Sequence, residues 1–309
     1  MQTADDQGFV HPALFYRGRR QYVAATVPFV RDGLAAGEPV AVAAPPAQVA
    51  WLRDALGAPA DRVRFLDMTV AGRNPGRIIP DVLRAFADAT PAGRVRIIGE
   101  PIWPGRTVAE YPACAQHEAL INAAFDGRAV SILCPYDAAG LPERALADAR
   151  ATHPLLLDEH GATVSGGYDP WGIVARYNEP LPVPPGAATV PFVGEGQLSD
   201  ARRFAVRHGA TLGLSGVRLE DLAMVVAELT TNSVLHGAGS GTLALWAADG
   251  QVVCQVHDAG RLTDPLAGRH PAAPAQPGGR GLLLVNRLAD LVRSHTGESG
   301  TVIRCYLTP

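Results

Sequence analysis

Apolar positions along the chain follow two different rhythms, separated by a proline-rich stretch. From residue 9 to about 179, short apolar runs alternate with amphipathic segments. Residues 39–44, 63–66, 95–99 and 129–134 read as buried strands, and 47–56, 78–89 and 111–125 as the helices between them. Strands alternating with helices at this spacing predict a mostly parallel, doubly wound α/β sheet. In such sheets ligands bind beyond the carboxyl ends of the strands. Asp67, Glu100, Trp103, Tyr136 and Asp137 are placed there. Residues 153–178 carry scattered glycines with Tyr168 and Trp171 and yield no element.

Residues 180–188 hold the prolines Pro180, Pro182, Pro184 and Pro185, which favour extended polyproline II and predict a semi-rigid linker. The rhythm then changes. An edge strand over 189–193 precedes a helix over 198–212. Leu222, Val226 and Leu229 recur at helical spacing, and Gly237 ends that helix. Strands over 242–247 and 252–257, a helix over 282–291 and a closing strand over 300–306 complete an α/β sandwich, expected to be one mixed sheet with helices on one face. The boundaries are therefore 1–179, a linker at 180–188, and 189–309; 309 residues suit about two domains of ~150.

The chemistry gathers in the second half. Glu228 and Asn232 lie four residues apart, on one helix face. A carboxylate and an amide so placed can orient a water and hold a hydrated Mg²⁺, which takes few protein ligands. Asp258 ends a strand in an Asp-Ala-Gly turn, where its carboxylate can accept the exocyclic amine of adenine while Gly260 admits the base close to the backbone. Gly279 and Gly281 open a helix whose N–H groups face phosphates, and Arg280 between them is a candidate phosphate clamp. The loop over 262–277 is too long and proline-rich for a simple turn and is expected to be a lid.

These four motifs, in this order, resemble the ATP-binding domain of the GHKL superfamily. Within it, Glu-Leu-Thr-Thr-Asn-Ser-Val-Leu-His-Gly at 228–237 and Gly-Arg-Gly-Leu-Leu-Leu-Val at 279–285 look most like the anti-sigma factor kinases. The resemblance spans roughly 187–309. It implies that the chain binds ATP with Mg²⁺, sequesters a sigma factor, and phosphorylates a STAS-type anti-anti-sigma partner on Ser or Thr. It implies Glu228 as general base or water-positioner, Asn232 as Mg²⁺ ligand and Asp258 as adenine reader. Thr301 would support the adenine end, and His236, Gly260, Gly279, Arg280, Gly281 and Leu282 would join the nucleotide set.

The first half is similar to the MEDS domain, a sensory module, on His11-Pro-Ala-Leu-Phe-Tyr16, Gly99-Glu-Pro-Ile-Trp103 and Ile132-Leu-Cys-Pro-Tyr136. That implies a small-molecule ligand, with His11, Tyr16, Glu100 and Trp103 as candidates to hold it. Two alternatives stay open: an ATP-binding signalling module without kinase activity, and a sensor histidine kinase. The latter needs a long helix carrying a phosphoacceptor His before the ATPase domain, where this chain is proline-rich.

Composition narrows the picture. The chain has no lysine, which excludes a Walker A lysine, a Schiff-base lysine and a lysine general base. Any nucleotide must be held by backbone amides, Arg and metal. A net charge of −3 gives no basic surface for nucleic acid, and no apolar run would span a bilayer. The acidic start, Met1 to Asp6, does not read as a secretory signal. The four cysteines, Cys114, Cys134, Cys254 and Cys305, sit far apart in apolar contexts without zinc spacing, and read as reduced core residues of a cytoplasmic protein. Homodimerisation is left open.

Overall fold

The computed structural model describes residues 8–90, 93–270 and 279–309. The chain divides into two compact units, Met1–Tyr177 and Asn178–Pro309. In the first, strands β1 (Pro12–Tyr16), β2 (Val40–Ala44), β3 (Val63–Asp67), β4 (Val95–Gly99), β5 (Val130–Asp137), β6 (Leu155–Asp158) and β7 (Gly161–Val164) form one sheet in the order β3-β2-β4-β5-β1-β6-β7. Every pairing is parallel except the β6–β7 hairpin at its edge. The helices are α1 (Gly18–Ala35), α2 (Pro46–Leu56), α3 (Met68–Ala71), α4 (Ala85–Asp88), α5 (Tyr111–Ala124), α6 (Glu143–Thr152) and α7 (Pro170–Arg176).

Strand alternation sorts the core onto two faces. Leu14, Tyr16, Val40, Val42, Ala44, Ile98 and Leu133 face α1 and α2, packing against Tyr22, Val30, Leu34, Leu52 and Leu56. Ala13, Ala41, Ala43, Ile97, Ile132 and Cys134 alternate with them and are equally buried, so the sheet is doubly wound. Burial on both faces is why β1, which joins β5 to β6 near the middle of the sheet, shows no polar–apolar period. The helix expected over 78–89 begins instead as a π-helical stretch, Ile78–Arg84, before α4. Pro80 lies inside that stretch and has no N–H to donate to an α-helical ladder. Residues 153–178, unassigned from sequence, supply β6, β7 and α7.

The second unit is a five-stranded sheet, β11-β12-β10-β9-β8, built from β8 (Ala188–Val193), β9 (Ser240–Ala248), β10 (Gln251–Asp258), β11 (Leu291–Gly297) and β12 (Gly300–Leu307). All of its pairings are antiparallel, where a mixed sheet was expected. The reason is the hairpin β11–β12. The crossover from β10 through α10 (Gly281–Leu288) does lead to a strand of the same direction, but β12 turns back and inserts between the two. The expected helix stops at Leu288; Ala289 and Asp290 bend the chain, and Leu291 already opens β11. Asp249 and Gly250, at φ of 50° and 75°, form the two-residue β9–β10 turn, and positive φ at both positions matches the right-handed strand twist.

Helices α8 (Leu198–Thr211) and α9 (Gly216–His236) cover one face with α10. Leu222, Val225, Val226 and Leu229 of α9 pack on Leu243, Leu245, Cys254, Val256 and Cys305. On the opposite face, Leu181 and Pro182 at the start of the expected semi-rigid linker, and Asn178 just before it, are fastened to the sheet. Asn178 exchanges hydrogen bonds with Thr296, Gln255 donates to Leu181 O, and Arg304 donates to Pro182 O. Polyproline backbone leaves its carbonyls unpaired, so it offers acceptors that side chains on a sheet can take. Among the described residues no helix is long and apolar enough to cross a membrane.

Leu222→Ala should leave a cavity between α9 and the sheet and lower the stability of the second unit by about 2–5 kcal/mol. Hydrogen exchange of the β9, β10 and β12 amides measures this.

Candidate functional site

A cleft of about 660 Å³ opens in the second unit between α9, the end of β10, the segment after it and the start of α10. That size suits a nucleotide-sized ligand. Asn232, His236, Asp258, Gly260, Gly279, Gly281, Leu282 and Thr301 line it.

Asp258 is the most constrained of these. Ser233 Oγ donates to Asp258 Oδ2 at 2.6 Å, and the Gly260 N–H donates to Oδ1 at 2.8 Å. Ser233 continues the buried stripe of α9 one turn beyond Leu229, and a polar group on an apolar face requires a partner. That out-of-place polarity was the available signal for Ser233, and motif reading passed over it. Gly260 is required where it stands, because a Cβ there would come within 2.6 Å of His236 O. Thr301 fixes the next link: its hydroxyl donates to Gly260 O at 2.9 Å and accepts the Leu262 N–H at 3.0 Å. β10, β12 and the segment after β10 are thereby joined at one end of the cleft.

Asn232, half-buried on α9, lines the other end; Glu228, half-buried one turn before it, is outside the cleft lining but beside the start of α10. A Cβ on Gly281 would lie 2.6 Å from Glu228 Oε2 and 3.3 Å from Asn232 Nδ2, so the start of α10 passes directly against this pair. Gly279, at φ 78°, lines the cleft in a conformation that favours glycine. Arg280 is exposed and outside the cleft lining, and His236 ends α9 with its side chain exposed. Of the segment expected as a lid, residues 271–277 lie outside the described residues, as does Gly278. The described part is tied down: Asn286 of α10 donates to Gly268 O at 3.0 Å.

In the first unit the four candidates separate. Tyr16 OH donates to Glu100 Oε1 at 2.8 Å, and Gln48, which sequence reading did not single out, donates to Tyr16 OH at 3.0 Å. Burial pushes the Glu100 carboxyl well above its usual range, with the Tyr16 hydrogen bond pulling it back. Glu100 Oε2 is buried without a hydrogen-bond partner among the described residues. Trp103 is half-buried beneath the Arg106 guanidinium, 3.9 Å from the ring centre. His11 belongs to a different cluster, with Glu118, Cys134 and His153. Asp67 caps α3 by accepting the Thr69 N–H at 2.8 Å.

Residues 10–154 match the MEDS family, the methanogen/methylotroph DcmR sensory domain. Residues 194–307 match the histidine kinase-like ATPase domain family. The chain carries a MEDS domain followed by a histidine kinase-like ATPase domain. No curated protein matches the chain. A sensory domain joined to such an ATPase domain makes an ATP-binding signalling regulator. The ATPase cleft fits that ligand on its own geometry. It has a carboxylate fixed at one end, and at the other a glycine-opened helix start facing a carboxylate–amide pair.

Thr301→Val should unpair both the Gly260 carbonyl and the Leu262 N–H. The expected loss is about 1–3 kcal/mol for each group left buried. Urea unfolding of the variant, with exchange at the Leu262 amide, reads it.

Proposed function

We propose that the chain is an anti-sigma regulator whose ATPase domain binds Mg-ATP, sequesters a sigma factor and phosphorylates a STAS-type anti-anti-sigma partner on Ser or Thr. The observation carrying this reading is the pairing of a fixed Asp258 at one end of the cleft with Glu228 and Asn232 against Gly281 at the other.

Asp258 keeps lone pairs beyond those used by Ser233 and Gly260, and one accepts the adenine amine. A guanine carbonyl at that place would meet a carboxylate, so the contact discriminates. The N–H groups at the start of α10 present the positive helix end to phosphate oxygens, with Arg280 beside them. Asn232 would hold Mg²⁺, which would supply charge neutralisation on the phosphates. Glu228 accepts the proton of the partner's hydroxyl or orients it. Phosphoryl transfer asks mostly for positioning and charge neutralisation, so this short set of groups suffices.

The histidine kinase reading lacks its phosphoacceptor among the described residues. His153 is buried just beyond α6, and His160 sits between β6 and β7, so neither rides a long helix. Control by the MEDS domain is part of the proposal, with its ligand taken up near Tyr16 and Glu100. A ligand regulates only if it binds two states of the chain with different affinity.

Asp258→Asn places an amide donor against the adenine amine and should abolish ATP binding in calorimetry; wild-type affinity in this variant would remove Asp258 as the base reader. Glu228→Ala should keep ATP affinity within a few-fold while lowering phosphorylation of the partner by ~10²–10⁴. Unchanged turnover would take Glu228 out of the chemistry and leave a module that binds ATP without using this residue.

A further inference from the structure

The core of the MEDS domain holds a second constellation of chemically capable side chains, separate from the Tyr16–Glu100 network. His11 precedes β1, Glu118 lies on α5, Cys134 on β5, and His153 directly follows α6. All four are buried, and their potential ligand atoms lie within 4.8 Å of one another. We propose that His11 Nε2, His153 Nε2, a Glu118 carboxylate oxygen and Cys134 Sγ form a closed tetrahedral site for one divalent transition-metal ion, with zinc the best fit.

The spacing supports this first. His153 Nε2 is 3.1 Å and His11 Nε2 3.7 Å from Glu118 Oε2, and His11 Nε2 is 3.4 Å from Cys134 Sγ. Ligands at ~2.0–2.3 Å from a tetrahedral zinc stand roughly 3.3–3.8 Å apart, so these separations already approximate the edges of such a site.

The tautomers support it next. His11 Nδ1 lies 3.1 Å from Asn122 Oδ1, and His153 Nδ1 lies 2.9 Å from Ala149 O. Asn122 is oriented independently, since its Nδ2 donates to Ala119 O and Thr152 O. Each imidazole therefore carries its proton on Nδ1 and turns an Nε2 lone pair inward. Outer oxygens fix metal-ligating histidines in the same way.

The third support is what the cluster otherwise lacks. Both Glu118 oxygens and His153 Nε2 are buried without a hydrogen bond of normal geometry among the described residues, although the Tyr136 hydroxyl and the Cys134 thiol face the Glu118 carboxylate. Orphaned polar atoms at this depth are expensive, and a cation satisfies all of them together. The charges also close. A divalent ion, a thiolate, a carboxylate and two neutral imidazoles sum to zero, so the assembled site can be buried without a net charge. Loading releases the Cys134 proton, and any proton on Glu118, to solvent. Four protein ligands leave no open position, which marks the site as structural. It would tie β1, α5, β5 and the end of α6 together.

Cysteine spacing could not reveal this, because the ligands come from four elements spread over residues 11–153. The test is metal analysis of the full chain. Purified chain should carry about one zinc, and zinc-edge X-ray absorption should report one sulfur with nitrogen and oxygen neighbours. Chelation followed by Co²⁺ should produce a thiolate-to-cobalt charge-transfer band. Cys134→Ser should abolish that band. Asn122→Ala should weaken metal affinity ~10–100-fold, the usual effect of losing an outer partner. Cys254→Ser, a cysteine of the second unit outside the cluster, should leave the zinc content and the cobalt band unchanged. The proposal is overturned if the chain holds no stoichiometric zinc or cobalt, if the absorption shows no sulfur ligand, or if the band persists in folded Cys134→Ser.

Discussion

The Asp258 carboxylate is the point on which the ATPase domain turns. One oxygen is held by the Ser233 hydroxyl from α9 and the other by the Gly260 N–H from the turn after β10. Hydrogen bonds to a charged group contribute about 1.5–3 kcal/mol each, enough to set a side chain in one position. Thr301 then passes the constraint to β12 and to the segment that follows Gly260. With these links in place, one end of the cleft is preorganised. The other end depends on a missing side chain: only glycine at 281 lets α10 begin beside Glu228 and Asn232. Fixing one end with hydrogen bonds and opening the other by removing a Cβ yields a cleft that needs no lysine.

Most of this was readable along the chain, for a physical reason. The motifs that build the cleft are local: a one-turn helical spacing for Glu228 and Asn232, a strand ending in Asp258, glycines before a helix. Local spacing survives projection onto a sequence. Ser233 was less visible because it shows only as polarity at an apolar position, and its partner lies 25 residues away. Sheet direction was less visible again. The α10 crossover leads to a strand of matching direction, and nothing local announces that β12 fills the gap.

The MEDS domain was harder to read, and its two buried polar groups explain why. Strands β2, β4 and β5 announced themselves as apolar runs, while β1 was visible only as a motif. The pairing of Tyr16 with Glu100 crosses 84 residues, and Gln48 joins them from α2. The cluster of His11, Glu118, Cys134 and His153 draws on four elements, and a lone histidine or cysteine in an apolar context reads as core. Tertiary structure alone brings such groups together. His11 shows the consequence: it was placed with Tyr16, Glu100 and Trp103 and belongs elsewhere. Residues 178–182 carry the same lesson, since their prolines signal extended backbone but not the sheet face that receives it.

The central claim is that a nucleotide's base docks against Asp258 in a preformed cleft. Amide and methyl chemical-shift mapping of the full chain, titrated with Mg-ATP and separately with Mg-GTP, tests it most directly. The account predicts that ATP shifts Ser233, Asp258, Gly260 and Thr301 together with Gly279 and Gly281, and that GTP leaves the first four unmoved. Equal shifts with both nucleotides, or ATP-induced shifts that spare Asp258 and its partners, would contradict it.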